Sequence, residues 1–215
     1  MALGKLPELA ALLALGFLIG SIPTSIIVGR LYGGIDIRQH GSGNAGTTNV
    51  IRQLGWGPGL LVFAVDVAKG YLAVTLASLL GLDPFGWGAE SARAIAGASA
   101  VAGHIWTLFA RFRGGKGVAT ALGALLALHP VAAGICMLLF VVVALLTRLV
   151  SLGSMAAGAA VAPLLLLLSW VGGRPLQLAL LLFAIAVALL ILFAHRSNIA
   201  RLVRGAEPRF RPPGD

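Results

Sequence analysis

The stretch VATALGALLALHPVAAGICMLLFVVVALL, residues 118–146, decides the fold. It contains no aspartate, glutamate, lysine or arginine. A bilayer crossing takes about 20 apolar residues, so this run is too long for one helix. Proline disfavours helix at the residue before it. His129-Pro130 therefore divides the run into a short segment, 118–128, and a longer one, 131–146. Working outward, further spans are expected at Leu9–Val28, Gly59–Leu80 and Ala92–Phe109 on one side, and at Leu152–Trp170 and Leu176–Phe193 on the other. The expectation is an all-α polytopic membrane protein of about seven transmembrane helices, with residues 1–215 forming a single integral membrane domain.

Composition agrees. Only 11% of the 215 residues are charged, and the mean hydropathy is +0.97. A soluble domain covers its surface with about 25% charged residues, so most of this surface must face lipid. The segment Met1–Glu8 ahead of an apolar run invites comparison with a signal peptide. Leu9–Val28 is long enough to span and no small-x-small cleavage site follows it, so a retained anchor is expected. The one cysteine, Cys136, lies in an apolar run and reads as a buried thiol. The net charge of +9 suits anionic lipid headgroups and acidic substrates. Nucleic acid is not expected as a partner, because no aromatic platform accompanies the basic residues.

Charge placement orients the chain. With seven spans and the C-terminus inside, the outer side holds only Lys5, Arg93 and Arg174. Lys69 lies within a span, and every other lysine and arginine falls inside. Such asymmetry follows the positive-inside rule and predicts a periplasmic N-terminus and a cytoplasmic C-terminus. Trp56 and Trp106 fall near the inner interface and Trp87 and Trp170 near the outer one, as an aromatic belt requires. The tail 205–215, rich in proline and polar residues, reads as a loose cytoplasmic end.

Four inner segments carry the polar chemistry. The first is Gly41-Ser42-Gly43-Asn44-Ala45-Gly46-Thr47-Thr48-Asn49, with Arg52 following. Small residues let backbone N–H groups form an anion nest, and a helix N-terminus behind them favours phosphate. Ser42, Thr47, Thr48 and Asn49 add hydroxyl and amide donors, and Arg52 one turn after Asn49 shares its face. The second is Arg111-Phe112-Arg113-Gly114-Gly115-Lys116-Gly117-Val118. It is not a Walker A loop, since Ala110 stands where the first glycine belongs and Gly117 where the metal-binding hydroxyl belongs. Lys116, set between Gly115 and Gly117 before a helix, still suits phosphate capture without a metal. Arg111 and Arg113 serve equally well as topological signals. The third, Ser151-Leu152-Gly153-Ser154, reads alone as a helix cap.

The fourth runs from His195 through Asn198 and Arg201 to Glu207. The first three of these recur every three residues and share a helix face, which favours a ligand over a merely lipid-facing basic helix. Asp66 and Lys69, three apart on the second span, read either as a mutually neutralising pair or as functional intramembrane charges. His104, His129 and Cys136 are scattered without metal-ligand spacing, so neither a metal nor another cofactor is expected. No Gly-x-Ser-x-Gly elbow and no His-x4-Asp pair occurs.

Together these motifs, with Gly20-Ser21-Ile22-Pro23 and Asp66-x-x-Lys69, resemble the acyl-phosphate:glycerol-3-phosphate acyltransferases over essentially the whole chain. The resemblance implies a seven-helix bacterial inner-membrane enzyme whose active site faces the cytoplasm. It would transfer a fatty acyl group from acyl-phosphate to the sn-1 hydroxyl of glycerol 3-phosphate, giving lysophosphatidic acid. It also implies that Ser42, Arg52, Lys116, Ser154, His195 and Asn198 line the site. Within that frame Ser42, Asn44 and the Gly43–Gly46 backbone hold the donor phosphate and developing oxyanion, while His195 and Asn198 orient the acceptor. Gly41, Gly43, Thr47, Asn49, Arg52, Gly115, Lys116, Gly117, Ser154 and Arg201 bind substrate. A substrate phosphate takes the hydroxyl proton. The competing reading is a small-anion or lipid transporter, for which glycine-rich, interrupted helices are suited. A transporter would gather its polar residues near the bilayer midplane, where only Asp66 and Lys69 lie.

Overall fold

In hydrocarbon every backbone amide must find its partner within the protein, which leaves helices as the natural solution for this chain. The structure, a computed structural model, describes residues 5–210; Arg211, one of the expected inner charges, lies outside that range. Ten α-helices occur among the described residues: α1 (Leu6–Gly20), α2 (Thr24–Gly33), α3 (Thr47–Leu54), α4 (Trp56–Leu79), α5 (Ala89–Ile105), α6 (Val118–Leu128), α7 (Pro130–Thr147), α8 (Val150–Val171), α9 (Leu178–Ala194) and α10 (Arg196–Val203). The all-helical expectation holds. By length and composition α1 with α2, α4, α7 and α8 each suffice to cross a membrane, and α9 with α10 forms a fifth candidate bent by 60°.

Helix α5 occupies the centre, against α1, α4, α6 and α9. Its sequence is mostly alanine, glycine and serine, and small residues let membrane helices approach closely. A Cβ on Gly20 of α1 would lie 2.0 Å from the Ala100 carbonyl oxygen, and one on Gly103 of α5 would lie 2.2 Å from that of Phe17. Glycine is thus the only residue these crossings admit. Behind α5, buried Val101, Ala124, Cys136, Phe183, Val187 and Ile191 form the core shared by α5, α6, α7 and α9.

The expected span 9–28 is interrupted. Ser21, Ile22 and Pro23 separate α1 from α2, because Pro23 cannot donate a backbone hydrogen bond. The Ser21 hydroxyl donates to the Gly103 carbonyl and accepts from the Leu108 amide, both at 3.2 Å, which pins this break to the end of α5. The expected span 92–109 likewise stops early: α5 ends at Ile105, and a separate 3-10 turn covers Leu108–Ala110. The division at His129-Pro130 appears as expected. His129 is extended, and its Nδ1 accepts from the Ala132 amide at 3.3 Å to cap α7.

Helix α6, with 11 residues, runs back along α5. Its start adjoins the loop after α5, and near its far end the Ala127 carbonyl accepts from Arg93, close to the start of α5. At that same end Glu8, before α1 has made a turn, accepts from the Asp83 amide at 3.1 Å.

The tail departs from expectation. The Glu207 side chain is only 7% exposed, and the Phe210 amide donates to the Arg148 carbonyl at 2.7 Å. Residues 205–210 therefore pack back across the helix ends, because the one carboxylate among Arg201, Arg204 and Arg209 finds donors there.

Candidate active site

The first glycine loop is organised by Asn49. Its Nδ2 donates to the carbonyls of Ile37 (3.0 Å), His40 (3.0 Å) and Asn44 (3.1 Å), while its Oδ1 accepts from the Ser42 amide at 3.1 Å. The side chain is buried and its bonding capacity is spent on the loop, so Asn49 braces rather than offers a ligand group. Gly41 and Gly43 take positive φ of 58° and 70° to make the turns, and the Gly43 amide donates to the His40 carbonyl at 3.0 Å. Ser42 and Gly43 thus have no free amide. The unpaired N–H groups begin at Asn44 and continue through Ala45, Gly46, Thr47 and Thr48, where α3 starts; none of these five donates within the described residues. The Thr47 hydroxyl is buried without a partner among the described residues, while Ser42 is exposed.

Arg38 ties this loop to the second one. It is held by Asp36 at 2.6 Å and donates to the Ala110 carbonyl at 2.9 Å. The Arg38 guanidinium holds the Asp36 carboxyl down at about 2.

The second loop hangs from the end of α5. The Gly114 amide donates to the Ile105 carbonyl and the Gly115 amide to the His104 carbonyl, both at 3.1 Å. A Cβ on Gly114 would lie 1.9 Å from the His104 oxygen; one on Gly115 would lie 2.2 Å from His104 Nε2 and 2.7 Å from the Ala45 oxygen. Gly115 is therefore squeezed between α5 and the first loop and uses its own amide, while Gly117, at φ 79°, starts α6. Lys116, between them, is half-buried. Arg111 and Arg113 are exposed and form no ion pair with a described residue.

Lys116 Nζ donates to Asn198 Oδ1. Asn198 Nδ2 in turn donates to Glu207 Oε1 at 2.6 Å, an orientation the chemistry enforces, since only the amide nitrogen can donate to a carboxylate. Ser151 Oγ donates to the same Glu207 oxygen at 2.6 Å, and Arg201 Nε to the other at 2.8 Å. Burial alone would raise the Glu207 pKa, but the bonds from Ser151, Asn198 and Arg201 outweigh it and the carboxyl sits below its ordinary range. Burial pushes the Lys116 ammonium down to about 8; Glu207 opposes the shift, and Arg201 and Arg52 reinforce it.

His195 occupies the bend between α9 and α10, 2% exposed. Its Nδ1 lies 2.8 Å from the Ile191 carbonyl oxygen. A carbonyl only accepts, so Nδ1 carries the proton and Nε2 is left with a lone pair in the neutral ring. Burial and then the charge of Lys116 lower its pKa to about 4. Arg52 has Phe210 beneath its guanidinium, 5.8 Å from ring centroid, and Phe210 meets Trp56 edge-on.

Ser154, by contrast, donates to Val150 of its own helix at 2.9 Å; in the third motif it is Ser151 that joins the cluster. Sequence reasoning placed Glu207 and Ser151 within its motifs but gave neither a part in this cluster. A lone acid in an arginine-rich tail was the available signal for Glu207. Beside the cluster an apolar cavity of about 80 Å³ runs between α6, α7, α8 and α9, lined by Val118, Leu122, Cys136, Phe140, Gly158 and Ile191 among others.

The chain as a whole has close relatives. The glycerol-3-phosphate acyltransferase family matches residues 10–205. Glycerol-3-phosphate acyltransferases of Synechococcus sp. strains CC9902 and JA-3-3Ab are 45% and 50% identical, over 94% of this chain and 96% and 94% of their own lengths. The crystal structure of PlsY (YgiH), an integral membrane glycerol 3-phosphate acyltransferase, in its glycerol 3-phosphate form superposes with a TM-score of 0.81 at 37% identity, covering 95% of this chain and 96% of that one. Its lysophosphatidic acid form gives 0.80 at 36% identity, with the same coverage. With the motifs, the fold and these likenesses in agreement, the chain belongs to the glycerol-3-phosphate acyltransferase family.

Proposed function

We propose that this protein transfers a fatty acyl group from acyl-phosphate to the sn-1 hydroxyl of glycerol 3-phosphate, giving lysophosphatidic acid and inorganic phosphate. The observation that carries this reading is the meeting of two phosphate-suited loops with the Lys116–Asn198–Glu207 chain beside an apolar cavity. The relatives' names and the glycerol 3-phosphate and lysophosphatidic acid forms of PlsY support the acceptor and product.

In the proposed mechanism the donor's acyl chain lies against the apolar helix faces beside the cavity lined from α6 to α9, which is too small to enclose it. Its phosphate takes the Ser42 hydroxyl and the free N–H groups from Asn44 to Thr48, preorganised dipoles of the oxyanion-hole kind. Arg52 and Lys116 hold the acceptor phosphate, with Arg201 held ready beside them by Glu207. His195 Nε2 and Asn198 orient the acceptor, a positioning role worth a large rate factor. The sn-1 oxygen attacks the acyl carbonyl carbon and a new C–O bond forms. The anhydride C–O bond then breaks, and its electron pair leaves with phosphate. The hydroxyl proton passes to a substrate phosphate, whose second pKa near 6 lets it accept.

The membrane placement is part of the same proposal: seven crossings, a periplasmic N-terminus, a cytoplasmic C-terminus and an inner-membrane enzyme with its site on the cytoplasmic side. Supporting it is the charge asymmetry; α6, with 11 residues, is taken as the short seventh crossing. The test is purified protein in detergent with acyl-phosphate and glycerol 3-phosphate, read as lysophosphatidic acid. Turnover with acyl-phosphate and none with acyl-coenzyme A is expected; turnover with acyl-coenzyme A alone would overturn the donor assignment.

A further inference from the structure

Asp66 and Lys69 are an ion pair within α4, 2.8 Å apart and each 3% exposed. Burying such a pair costs desolvation that mutual attraction seldom repays, and well-packed apolar residues in its place are often neutral or better. Self-neutralisation therefore does not explain it, and each partner has a second neighbour. Lys69 Nζ donates at 3.2 Å to the Ile22 carbonyl, at the break between α1 and α2. Asp66 Oδ1 faces His104 Nδ1 at 3.7 Å, and that nitrogen, buried, has no hydrogen-bond partner among the described residues.

His104 is the residue on which the second loop rests. Its carbonyl accepts from the Gly115 amide at 3.1 Å, and its ring lies so close that a Cβ on Gly115 would fall 2.2 Å from Nε2. The other side of Gly115 is bounded by the Ala45 oxygen of the first loop. The imidazole is thus the floor beneath the point where the two loops touch, one residue before Lys116. We propose that Asp66, Lys69 and His104 form a positioning triad within the membrane that sets the height of the second loop, and through it the reach of Lys116 to the acceptor phosphate. The triad touches no substrate and acts through Gly115. The inference rests on the acyltransferase reading; the wild-type rate tests that reading, and the ratios of variant to wild type test the triad.

The experiment is a double-mutant cycle between His104→Ala and Lys116→Ala, with kcat and KM measured for each substrate. A misplacement of about 1 Å can cost on the order of a hundredfold. His104→Ala is therefore expected to lower kcat/KM for glycerol 3-phosphate at least about tenfold on the wild-type background, chiefly through KM, with KM for acyl-phosphate little changed. On the Lys116→Ala background its effect should shrink below about threefold, because residues acting as a unit are not additive. Equal losses on both backgrounds would reduce His104 to a structural brace and overturn the proposal. Asp66→Leu/Lys69→Met removes both charges with similar volume and is expected to fold, to lose about tenfold or more, and to show the same non-additivity. Wild-type activity in that folded double variant would also overturn it. His104→Gln enters the same cycle and keeps the test decisive should the alanine variant not accumulate.

Discussion

The Lys116 ammonium and the Glu207 carboxylate are joined through a single amide, that of Asn198, which accepts from one and donates to the other at 2.6 Å. The amide thereby has a fixed orientation and its two neighbours a fixed separation. Because Glu207 also takes bonds from Ser151 and Arg201, three parts of the chain, the second loop, the start of α8 and α10 with the tail, are linked through one carboxylate.

Glu207→Ala should accordingly be among the most damaging changes to this site. It leaves three donors unsatisfied, and a lost charge-assisted hydrogen bond costs about 1.5–3 kcal/mol. The expected result is a lower melting temperature in detergent and at least a tenfold loss of activity, with Glu207→Gln intermediate in both. Wild-type stability and rate in Glu207→Ala would refute the role given to the tail.

Lys116 sets an alkaline limit. With its pKa lowered to about 8, the free enzyme loses the ammonium as pH rises through that value, and with it a contact to phosphate. Between pH 8 and 9.5, kcat/KM for glycerol 3-phosphate should therefore fall by roughly tenfold per unit, the slope of one titrating group. Lys116→Arg keeps its charge over this range and should flatten the limb even where its overall rate is lower. A wild-type profile level through pH 9.5 would contradict the assignment.

His195 is neutral above pH 5, its pKa being about 4. A fall in rate between pH 7 and 5 then belongs to substrate phosphate and not to this ring. His195→Gln retains a donor and an acceptor, so it should keep clearly more activity than His195→Ala, with the acidic limb intact. Disappearance of that limb in His195→Gln would transfer proton removal to histidine.

The proposed topology is open to labelling. On a Cys136→Ala background, single cysteines at the exposed positions His40, Arg113 and Arg204 should react with impermeant reagents from the cytoplasmic side alone, and one at exposed Arg174 from the periplasmic side alone. The reverse pattern would invert the chain.

Hydropathy, proline and charge are properties of neighbouring residues, and whatever depends on them was legible from the chain alone. The helix boundaries at His129-Pro130 and the all-helical character of the chain are of this kind. Lys116 and Asn198, both named from their motifs, meet in the structure. Counting donors in a motif, however, does not say how many are already in use. The four bonds of Asn49, the amides of Ser42, Gly43, Gly114 and Gly115, and the back-bonded hydroxyl of Ser154 became known only from the packed loops. Glu207 looked like part of a loose tail because its partners are remote: Ser151 lies 56 positions away, and Lys116 is 82 positions from the Asn198 that links them. Asp66 reaches His104 from another helix altogether. A buried polar group is stable only where partners converge on it from several directions, and in a bundle whose helices cross at glycines those directions are set by the crossing of α5 with its neighbours.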